Sequence, residues 1–290
     1  MATVAPPVVG HGFSGKDTPP DEVIARCVQC GFCLPTCPTY RLTYNEASSP
    51  RGRIHLMRSV ADGRLSLSSA VFRDQMYQCL NCRACEAVCP SGVAYGQIVE
   101  PARAQIERHL PRPLWERLLR VVVFRHLFGD MRLFRLFSFS TALYQRSGLR
   151  AVARRGGLLK LLRLEDQEAL LPEIPLPAVV PFGQHWLPPD GQVRRRVGLF
   201  TGCVMSTAFA GTDRATARVL ARNGCDVVAV AGQGCCGALA IHAGEPDIGR
   251  ACARRNIAAF EEQGLDAVVI NSAGCGAALK EYPHLFHDDP

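Results

Sequence analysis

Hydrophobic positions follow two different patterns along this chain of 290 residues. Within the first 110 residues they are spaced for short helices with one buried face, as Ile54, Met57 and Val60 illustrate. After about residue 193, short apolar runs at 197–200, 227–230 and 267–270 alternate with helical spacing. Strands that alternate with helices predict a parallel sheet covered by helices.

The same pattern places individual helices. The predicted helices are 21–26, 52–61, 71–77, 97–110, 207–223, 246–263 and one that begins at Gly276. Between the two halves, residues 171–191 contain six prolines, which predicts an interdomain linker.

Two cysteine runs of identical spacing lie among the first helices. They are Cys27-Val-Gln-Cys30-Gly-Phe-Cys33-Leu-Pro-Thr-Cys37-Pro38 and Cys79-Leu-Asn-Cys82-Arg-Ala-Cys85-Glu-Ala-Val-Cys89-Pro90. Both follow C-x2-C-x2-C-x3-C-P, the spacing that holds [4Fe–4S] clusters in bacterial ferredoxins. Three thiolates two residues apart can reach three corners of one cube, and in paired runs the fourth ligates the other cluster. The expected ligands are Cys27, Cys30, Cys33 and Cys89 for cluster 1, and Cys79, Cys82, Cys85 and Cys37 for cluster 2.

Two other roles for these cysteines are weaker. A disulfide framework needs an oxidising compartment, and the first 17 residues lack the basic and apolar regions of a signal peptide. Zinc ligands commonly form two separated pairs rather than a run of four before proline. We therefore expect reduced thiols in a cytoplasmic protein, with peripheral association at the inner face of the cell membrane left open.

The net charge of +7 is concentrated in one segment. Residues 112–163 contain twelve Arg or Lys against two acidic residues, a surplus of ten. The longest uncharged run there, 136–145, is too short to span a bilayer, which takes about 20 residues. Amphipathic helices are expected, and they either pack over the cysteine-rich first part or lie on a membrane surface. Packing is favoured because a charge-rich helix face is usually only solvated.

A second group of cysteines is expected at the strand ends of the later half: Cys203, Cys235, Cys236 and Cys275. Ligands of open α/β sheets collect beyond the carboxyl ends of the strands. These four are a candidate third metal or reactive-thiol site, and buried packing is the alternative. Cys225 and Cys252, at a strand start and inside a helix, are expected to be structural.

Several of these stretches together resemble a known family. Cys203, Cys235-Cys-Gly237 and Asn271-Ser-Ala-Gly-Cys275 are similar to the cysteine-rich CCG repeat of heterodisulfide reductase and related subunits. With Ser49-Pro-Arg-Gly-Arg53, both cysteine runs and Cys235-Cys-Gly-Ala-Leu-Ala-Ile-His-Ala-Gly244, the chain resembles the iron–sulfur subunit of glycolate oxidase. Two departures are visible. Ser272 replaces the usual companion of Cys275, and only one repeat is present where the family has two, so the chain looks truncated at its C-terminus.

The resemblance implies an electron-transfer subunit of an oxidoreductase complex. FAD would be in a flavoprotein partner that oxidises glycolate to glyoxylate, and electrons would pass through two [4Fe–4S] clusters to a quinone-like acceptor. A third iron–sulfur site is an open expectation, and no nucleic-acid partner is expected. The alternatives are the corresponding subunit of anaerobic glycerol-3-phosphate or lactate dehydrogenase, and a thiol–disulfide enzyme of the heterodisulfide reductase type.

The predicted fold class is α+β multidomain, an α-helical ferredoxin-like module followed by an α/β parallel-sheet cysteine-rich domain that is incomplete. The expected divisions are a ferredoxin module at 21–110, a basic helical segment at 111–170, a linker at 171–192 and a CCG domain at 193–290.

Overall fold

A computed structural model describes residues 12–175 and 179–286. It divides into two compact units, residues 12–117 together with Leu239–Asp247, and Leu118–Ala238 together with residues 248–286. Residues 176–178 of the predicted linker and 287–290 at the end of the predicted CCG domain lie outside the described residues.

The first half of the chain is helical. Its helices are α1 (Asp21–Ala25), α2 (Pro38–Thr43), a 3₁₀ turn (Glu46–Ser48), α3 (Pro50–Ala61), α4 (Ala70–Gln78), α5 (Ala84–Ala87) and α6 (Gly96–His109). The four helices predicted here are confirmed to within two residues at each end. One apolar core joins them, and it includes Val60 of α3, Phe72 and Met76 of α4, and Ile98 of α6. The buried face predicted for α3 is confirmed, since Ile54, Met57 and Val60 are at most 5% exposed.

The middle of the chain continues as short helices. These are α7 (Leu114–Arg120), a π-helical stretch (Val121–Leu127), α8 (Met131–Arg146), α9 (Leu149–Arg155), α10 (Leu158–Leu161) and α11 (Glu165–Ala169). One face of α8 is buried, with Met131 and Phe134 against Cys203, Cys235 and Cys252. No helix within 12–175 and 179–286 is both long and apolar enough to cross a membrane.

The remaining elements form the sheet and its helices. They are β1 (His185–Trp186), β2 (Arg195–Phe200), α12 (Val204–Thr207), α13 (Ala210–Arg222), β3 (Cys225–Ala229), α14 (Ala238–His242), α15 (Pro246–Glu261), β4 (Ala267–Ile270), α16 (Ala273–Lys280) and α17 (Tyr282–Leu285). The three predicted strands are present. The helix predicted at 207–223 instead begins at Ala210, after the separate turn α12, and the last predicted helix begins three residues early, at Ala273.

The sheet is mixed rather than purely parallel, which corrects the prediction. Its order is β1-β3-β2-β4, and β2 runs parallel to both β3 and β4. The edge strand β1 is antiparallel to β3, with His185 opposite Val228. This strand lies within the predicted linker, and two residues are too few to produce a recognisable alternation of apolar and polar side chains.

Helices pack against the sheet, and residues of its carboxyl edge belong to the same buried clusters. Ala217 of α13 packs on Leu199 and Val227 in one cluster. Phe200 belongs to another cluster, which includes Cys236 and Ala278. The residues that follow β2, β3 and β4 therefore meet at one edge, as parallel strands require.

Candidate metal centres

The first cysteine run lines a cavity in the first unit. Cys27, Cys30 and Cys33 line it together with Cys89 from the second run. Cys85 also reaches this cavity. The structure thus brings the last cysteine of the second run to the first three of the first run.

A second cavity lies beside it and has the reciprocal composition. Cys79, Cys82 and Cys85 line it together with Cys37 from the first run. Cys37 is buried, whereas Cys82 is exposed to solvent. The two cavities therefore exchange the fourth cysteine of each run, and Cys85 borders both.

Matched left-handed residues shape the two runs. Gln29 and Gly31 flank Cys30 with φ of 56° and 89°, and Asn81 and Arg83 flank Cys82 with φ of 51° and 57°. Glycine and asparagine adopt this region readily, but for other residues it costs about 1–2 kcal/mol. At Gln29 a hydrogen bond offsets part of this cost, because its carbonyl accepts from Arg51 Nη1 at 3.0 Å. The same backbone shape at equivalent positions turns successive thiols towards a common cavity.

The stretch 49–53 forms the N-terminus of α3 and braces both runs. The Ser49 hydroxyl caps the helix by accepting from the Gly52 amide at 2.9 Å, and Pro50 occupies the first turn. A Cβ on Gly52 would lie 1.9 Å from the Glu46 carbonyl oxygen, so only glycine fits. Arg51 extends to the loop of the first run. Arg53 extends to Cys37, with its Nη1 3.9 Å from the thiol sulfur.

A polar network supports the second run. Asn81 Nδ2 donates to Glu100 Oε1 at 2.7 Å and lies 2.9 Å from His242 Nδ1. Arg103 is buried and donates to the carbonyl oxygens of Met76, Cys79 and His242. His242 had no predicted role, although it lies within the stretch 235–244 that carries the family resemblance. Glycine is required at position 244 in the same stretch, since a Cβ there would lie 2.8 Å from the Arg103 carbonyl oxygen.

The surroundings shift the pKa of two cysteines in opposite directions. Burial raises the pKa of Cys85 to about 12, and the nearby Cys79 and Glu86 add to the effect. Burial also acts on Cys37, but hydrogen bonding by Thr39 and the charge of Arg53 outweigh it and lower the pKa of that thiol. The pKa of Cys37 therefore lies below the ordinary value for a cysteine, and that of Cys85 lies above it.

Four of the six cysteines of the second unit form a continuous row. Cys203 Sγ lies 3.8 Å from Cys235 Sγ. Cys235 also contacts Cys236, which in turn contacts Cys275. Cys275 lies in the first turn of α16 rather than in a preceding loop. Among the described residues, no three His, Cys, Asp or Glu side chains converge as ligands of one metal ion would.

The loop that carries Cys235 and Cys236 is held from two helices. Asn256 of α15 donates to the Cys235 carbonyl at 3.0 Å, and the Tyr282 hydroxyl donates to the Cys236 carbonyl at 2.9 Å. Gly237 has a φ of 85°, and its amide donates to Cys235 Sγ at 3.4 Å. Hydrogen bonds to the backbone carbonyls therefore hold Cys235 and Cys236 in place, and their thiols contact the other cysteines of the row.

Hydrogen bonds between the thiols of the row lower the pKa of two cysteines and raise the pKa of the other two. Donation from Cys203 and Cys236 lowers the pKa of Cys235, and the same contacts raise the pKa of both donors. The contact with Cys236, whose single S–H is shared between Cys235 and Cys275, likewise lowers the pKa of Cys275. Such a row can bind soft metals or undergo thiol chemistry.

Cys252 was expected to be structural, and it is buried in the same cluster as Cys203 and Cys235. Its position in α15 left no motif to find, because a single cysteine inside a helix has no spacing signal. Cys225 lies at the start of β3 and packs beside Leu199 and Val227.

Comparison with known proteins divides the chain into three matched regions. A 4Fe–4S dicluster domain model matches residues 23–93, the linker region of the glycolate oxidase iron–sulfur subunit matches 115–171, and a cysteine-rich domain (CCG) matches 197–280. No solved structure matches the chain significantly.

Similar curated proteins extend over nearly the whole chain. A probable glycolate oxidase iron–sulfur subunit of Bacillus subtilis is 45% identical across 95% of this chain and 62% of the relative. The glycolate oxidase iron–sulfur subunit of Escherichia coli is 35% identical across 93% of this chain and 61% of the relative. A dihydromethanophenazine:CoB–CoM heterodisulfide reductase subunit from Methanosarcina acetivorans is 24% identical across 91% of this chain and 58% of the relative. The chain thus spans about three fifths of the two glycolate oxidase relatives, and the resemblance to these subunits is confirmed.

Proposed function

We propose that this chain, a homologue of glycolate oxidase iron–sulfur subunits over nearly its whole length, is the electron-transfer subunit of a flavin-dependent 2-hydroxy-acid dehydrogenase. The reaction it serves is the oxidation of glycolate to glyoxylate. The observation that carries the proposal is the exchange of Cys37 and Cys89: each lies in the cavity lined by the first three cysteines of the other run, and Cys85 borders both cavities. Paired ferredoxin runs share ligands in this way.

The residues present fit two [4Fe–4S] clusters. The first cavity offers five cysteines and the second four, with Cys85 common to both; cysteine is the ligand type that such clusters require, and all eight are free thiols. Cys27, Cys30, Cys33 and Cys89 would hold one cluster, and Cys37, Cys79, Cys82 and Cys85 the other. When bound, the clusters supply one-electron transfer between the FAD of a partner subunit and a quinone-like acceptor.

The protein's own residues orient and enclose these sites. Tyr95 is buried and lines both cavities. Ile54 and Val93 add apolar walls to the first cavity. Hydrogen bonds to sulfur and exclusion of water are the means by which a protein tunes a cluster.

A third site at Cys203, Cys235, Cys236 and Cys275 is part of the proposal. The row of contacting thiols, in which hydrogen bonds lower the pKa of Cys235 and Cys275, supports metal binding. The side chain of Ser272 forms a hydrogen bond with Cys275. Ser272 stands where the family has a further cysteine. We propose an iron–sulfur site here that uses the four cysteines of this chain.

The proposed partners follow from the proposed reaction, because cysteine-ligated clusters carry electrons and leave the oxidation of the hydroxy acid to a flavin. We propose a flavoprotein 2-hydroxy-acid oxidase subunit as the electron donor, and peripheral association with a membrane through residues 118–164. That segment exposes apolar side chains among its arginines, including Leu136, Phe137 and Leu143. The cytoplasm is the proposed compartment.

The other functions are less favoured. The heterodisulfide reductase subunit is 24% identical, against 45% and 35% for the two glycolate oxidase subunits. A lactate utilization protein A from Bacillus velezensis aligns with only 33% of this chain.

The test is an electron relay assay. The full chain is purified with an FAD-containing 2-hydroxy-acid oxidase, and glycolate-dependent reduction of a quinone analogue is followed. Reduction should require both proteins and should be lost in Cys30→Ser and Cys82→Ser, whereas Cys225→Ser serves as a matched control. Reduction of a disulfide by the chain alone, without relay, would instead support the thiol–disulfide enzyme.

A further inference from the structure

We propose that Arg53 raises the reduction potential of the cluster at Cys37, Cys79, Cys82 and Cys85 above that of its neighbour, so that this cluster accepts the first electron. The inference rests on the proposed binding of two clusters. It assigns Arg53 as a positioning and tuning residue, since its contact is with a cysteine rather than with a reacting substrate.

The surroundings of Arg53 are unusual for a charged side chain. It is 1% exposed, and its three nitrogens donate to Gln75 O at 2.7 Å, Thr39 Oγ1 at 3.0 Å and Cys37 Sγ at 3.9 Å. Among the described residues no carboxylate pairs with it. A buried charge is costly unless an opposite charge compensates it. Within the described part of the chain, the only acidic group to which this guanidinium donates is the thiol of Cys37.

Arg51 provides a built-in comparison, two residues earlier on the same helix. Its side chain is 29% exposed and forms a two-point ion pair with Glu46, at 2.6 Å and 3.1 Å. Its remaining nitrogen donates to the Gln29 carbonyl in the loop of the first run. The charge of Arg51 is therefore compensated by Glu46 and screened by water. Each of these two arginines of α3 thus reaches one cysteine set, but only Arg53 does so with its charge uncompensated.

Other charges near the second set do not cancel this asymmetry. Glu100, which accepts a hydrogen bond from Asn81, is paired with Arg83 at 2.9 Å and with His242 at 2.9 Å. Arg103 is also buried, and it donates to backbone carbonyls, including that of Cys79. Glu86 is the acidic neighbour of Cys85, and its Oε1 accepts from the Gly96 amide at 2.6 Å. Two buried arginines, Arg53 and Arg103, stand against this one carboxylate, so the surroundings of the second set are more positive than those of the first.

The direction of the effect follows from electrostatics. Reduction adds one negative charge to a cluster already surrounded by four thiolates. A fixed positive charge in a buried, weakly polarisable environment stabilises the more negative, reduced form more than the oxidised form. The potential of the second cluster therefore rises relative to that of the first.

The experiment is an EPR-monitored redox titration of the anaerobically reconstituted full chain. Cys82→Ser first identifies the signal of the second set. In the wild type this signal should appear at the higher potential. Arg53→Gln should shift it to lower potential with the other signal unchanged, and Arg51→Gln should leave the separation intact. Arg53→Lys, which keeps the charge, should retain most of the potential while altering the line shape.

The remaining outcomes test separately the role of Arg53 and the binding of two clusters. Wild-type protein in which the first set is reduced first would overturn the inference without any Arg53 variant, as would Arg53→Gln with full iron content and unchanged potentials. If Arg53→Gln cannot incorporate iron, two other measurements test the role of Arg53. The second set should be reduced first in the wild type, and Arg53→Lys should retain most of its potential; the opposite of either result would overturn the inference. Binding of clearly fewer than about eight irons by the wild type would refute the cluster assignment itself and is distinguishable by iron and sulfide analysis.

Discussion

The sulfur atoms of Cys203 and Cys235 lie 3.8 Å apart although 32 positions separate the residues in sequence. Cys203 follows β2, and Cys235 follows the neighbouring parallel strand β3. The contact is therefore a product of the sheet, which brings the carboxyl ends of both strands to one edge.

Iron content tests the proposed third site. Reconstituted wild-type protein should bind iron beyond the eight atoms of two cubes, because the row of four thiols offers additional soft ligands. Cys203→Ser and Cys235→Ser should each remove this excess, and Cys225→Ser should retain it. Eight irons in the wild type, with four further thiols open to a thiol reagent, would show that the row binds no cluster.

The two ferredoxin-type sites should bind about eight irons and eight sulfides, since each run has the spacing for a [4Fe–4S] cluster. Anaerobic reconstitution followed by iron and sulfide assays measures this, and EPR of the reduced protein identifies the cluster type. Stoichiometric zinc without an iron signal would contradict the assignment.

Exchange of the fourth ligand can be tested with serine substitutions. Because Cys89 lines the cavity of the first run, Cys89→Ser should perturb the same EPR signal as Cys30→Ser. Cys37→Ser should perturb the signal affected by Cys82→Ser. The reverse pairing would mean that each run closes on its own cluster.

The exposed surface of residues 118–164 should bind anionic lipid. Leu133, Leu136 and Phe137 are 44%, 61% and 49% exposed, and Arg132 and Arg146 are exposed on the same helix. Flotation with vesicles containing phosphatidylserine should therefore be strong at low salt and weaken as the Debye length falls to about 8 Å at physiological ionic strength.

Charge reversal separates this surface from general basicity. Arg132→Glu with Arg146→Glu should abolish flotation, whereas reversal of the exposed Arg218 and Arg222 on α13 should not. Equal loss in both pairs would show that net charge alone is responsible, and no flotation of the wild type would leave the flavoprotein as the candidate partner for this surface.

Asp213 should make the second unit less stable as the pH rises. Burial raises the pKa of this carboxyl to about 6, although Asn271 donates a hydrogen bond to it at 2.7 Å. A raised carboxyl pKa favours the protonated folded state, so its contribution is present below about pH 4 and is lost as the pH rises through about 6. The difference between this pKa of about 6 and the ordinary value of about 4 corresponds to at most about 3 kcal/mol.

Replacing Asp213 with asparagine removes the charge and keeps the acceptor for Asn271. The Asp213→Asn variant should gain stability over the wild type at pH 8, and this difference should shrink towards pH 4. Denaturant unfolding at several pH values measures it, with the exposed Asp190→Asn as a control. Parallel pH profiles for wild type and Asp213→Asn would contradict the prediction.

Local spacing in the sequence was sufficient to predict the helices around both cysteine runs and the strands β2, β3 and β4. The spacing also indicated the type of cofactor, because ligands two residues apart constrain their own loop without help from the rest of the chain. The resemblance of Cys235–Gly244 and its companion motifs to one family was visible in the same way.

Tertiary structure decided which residues meet. The antiparallel pairing of β1 with β3, the position of Cys252 beside Cys203 and the packing of Leu239–Asp247 within the first unit depend on long-range contacts. The difference between Arg51 and Arg53 is of the same kind. Both belong to one short motif, but Arg51 is paired with Glu46 at the surface and Arg53 is buried beside Cys37. Burial and charge compensation depend on what the rest of the chain packs against a residue, so the residue's own sequence neighbours cannot specify them.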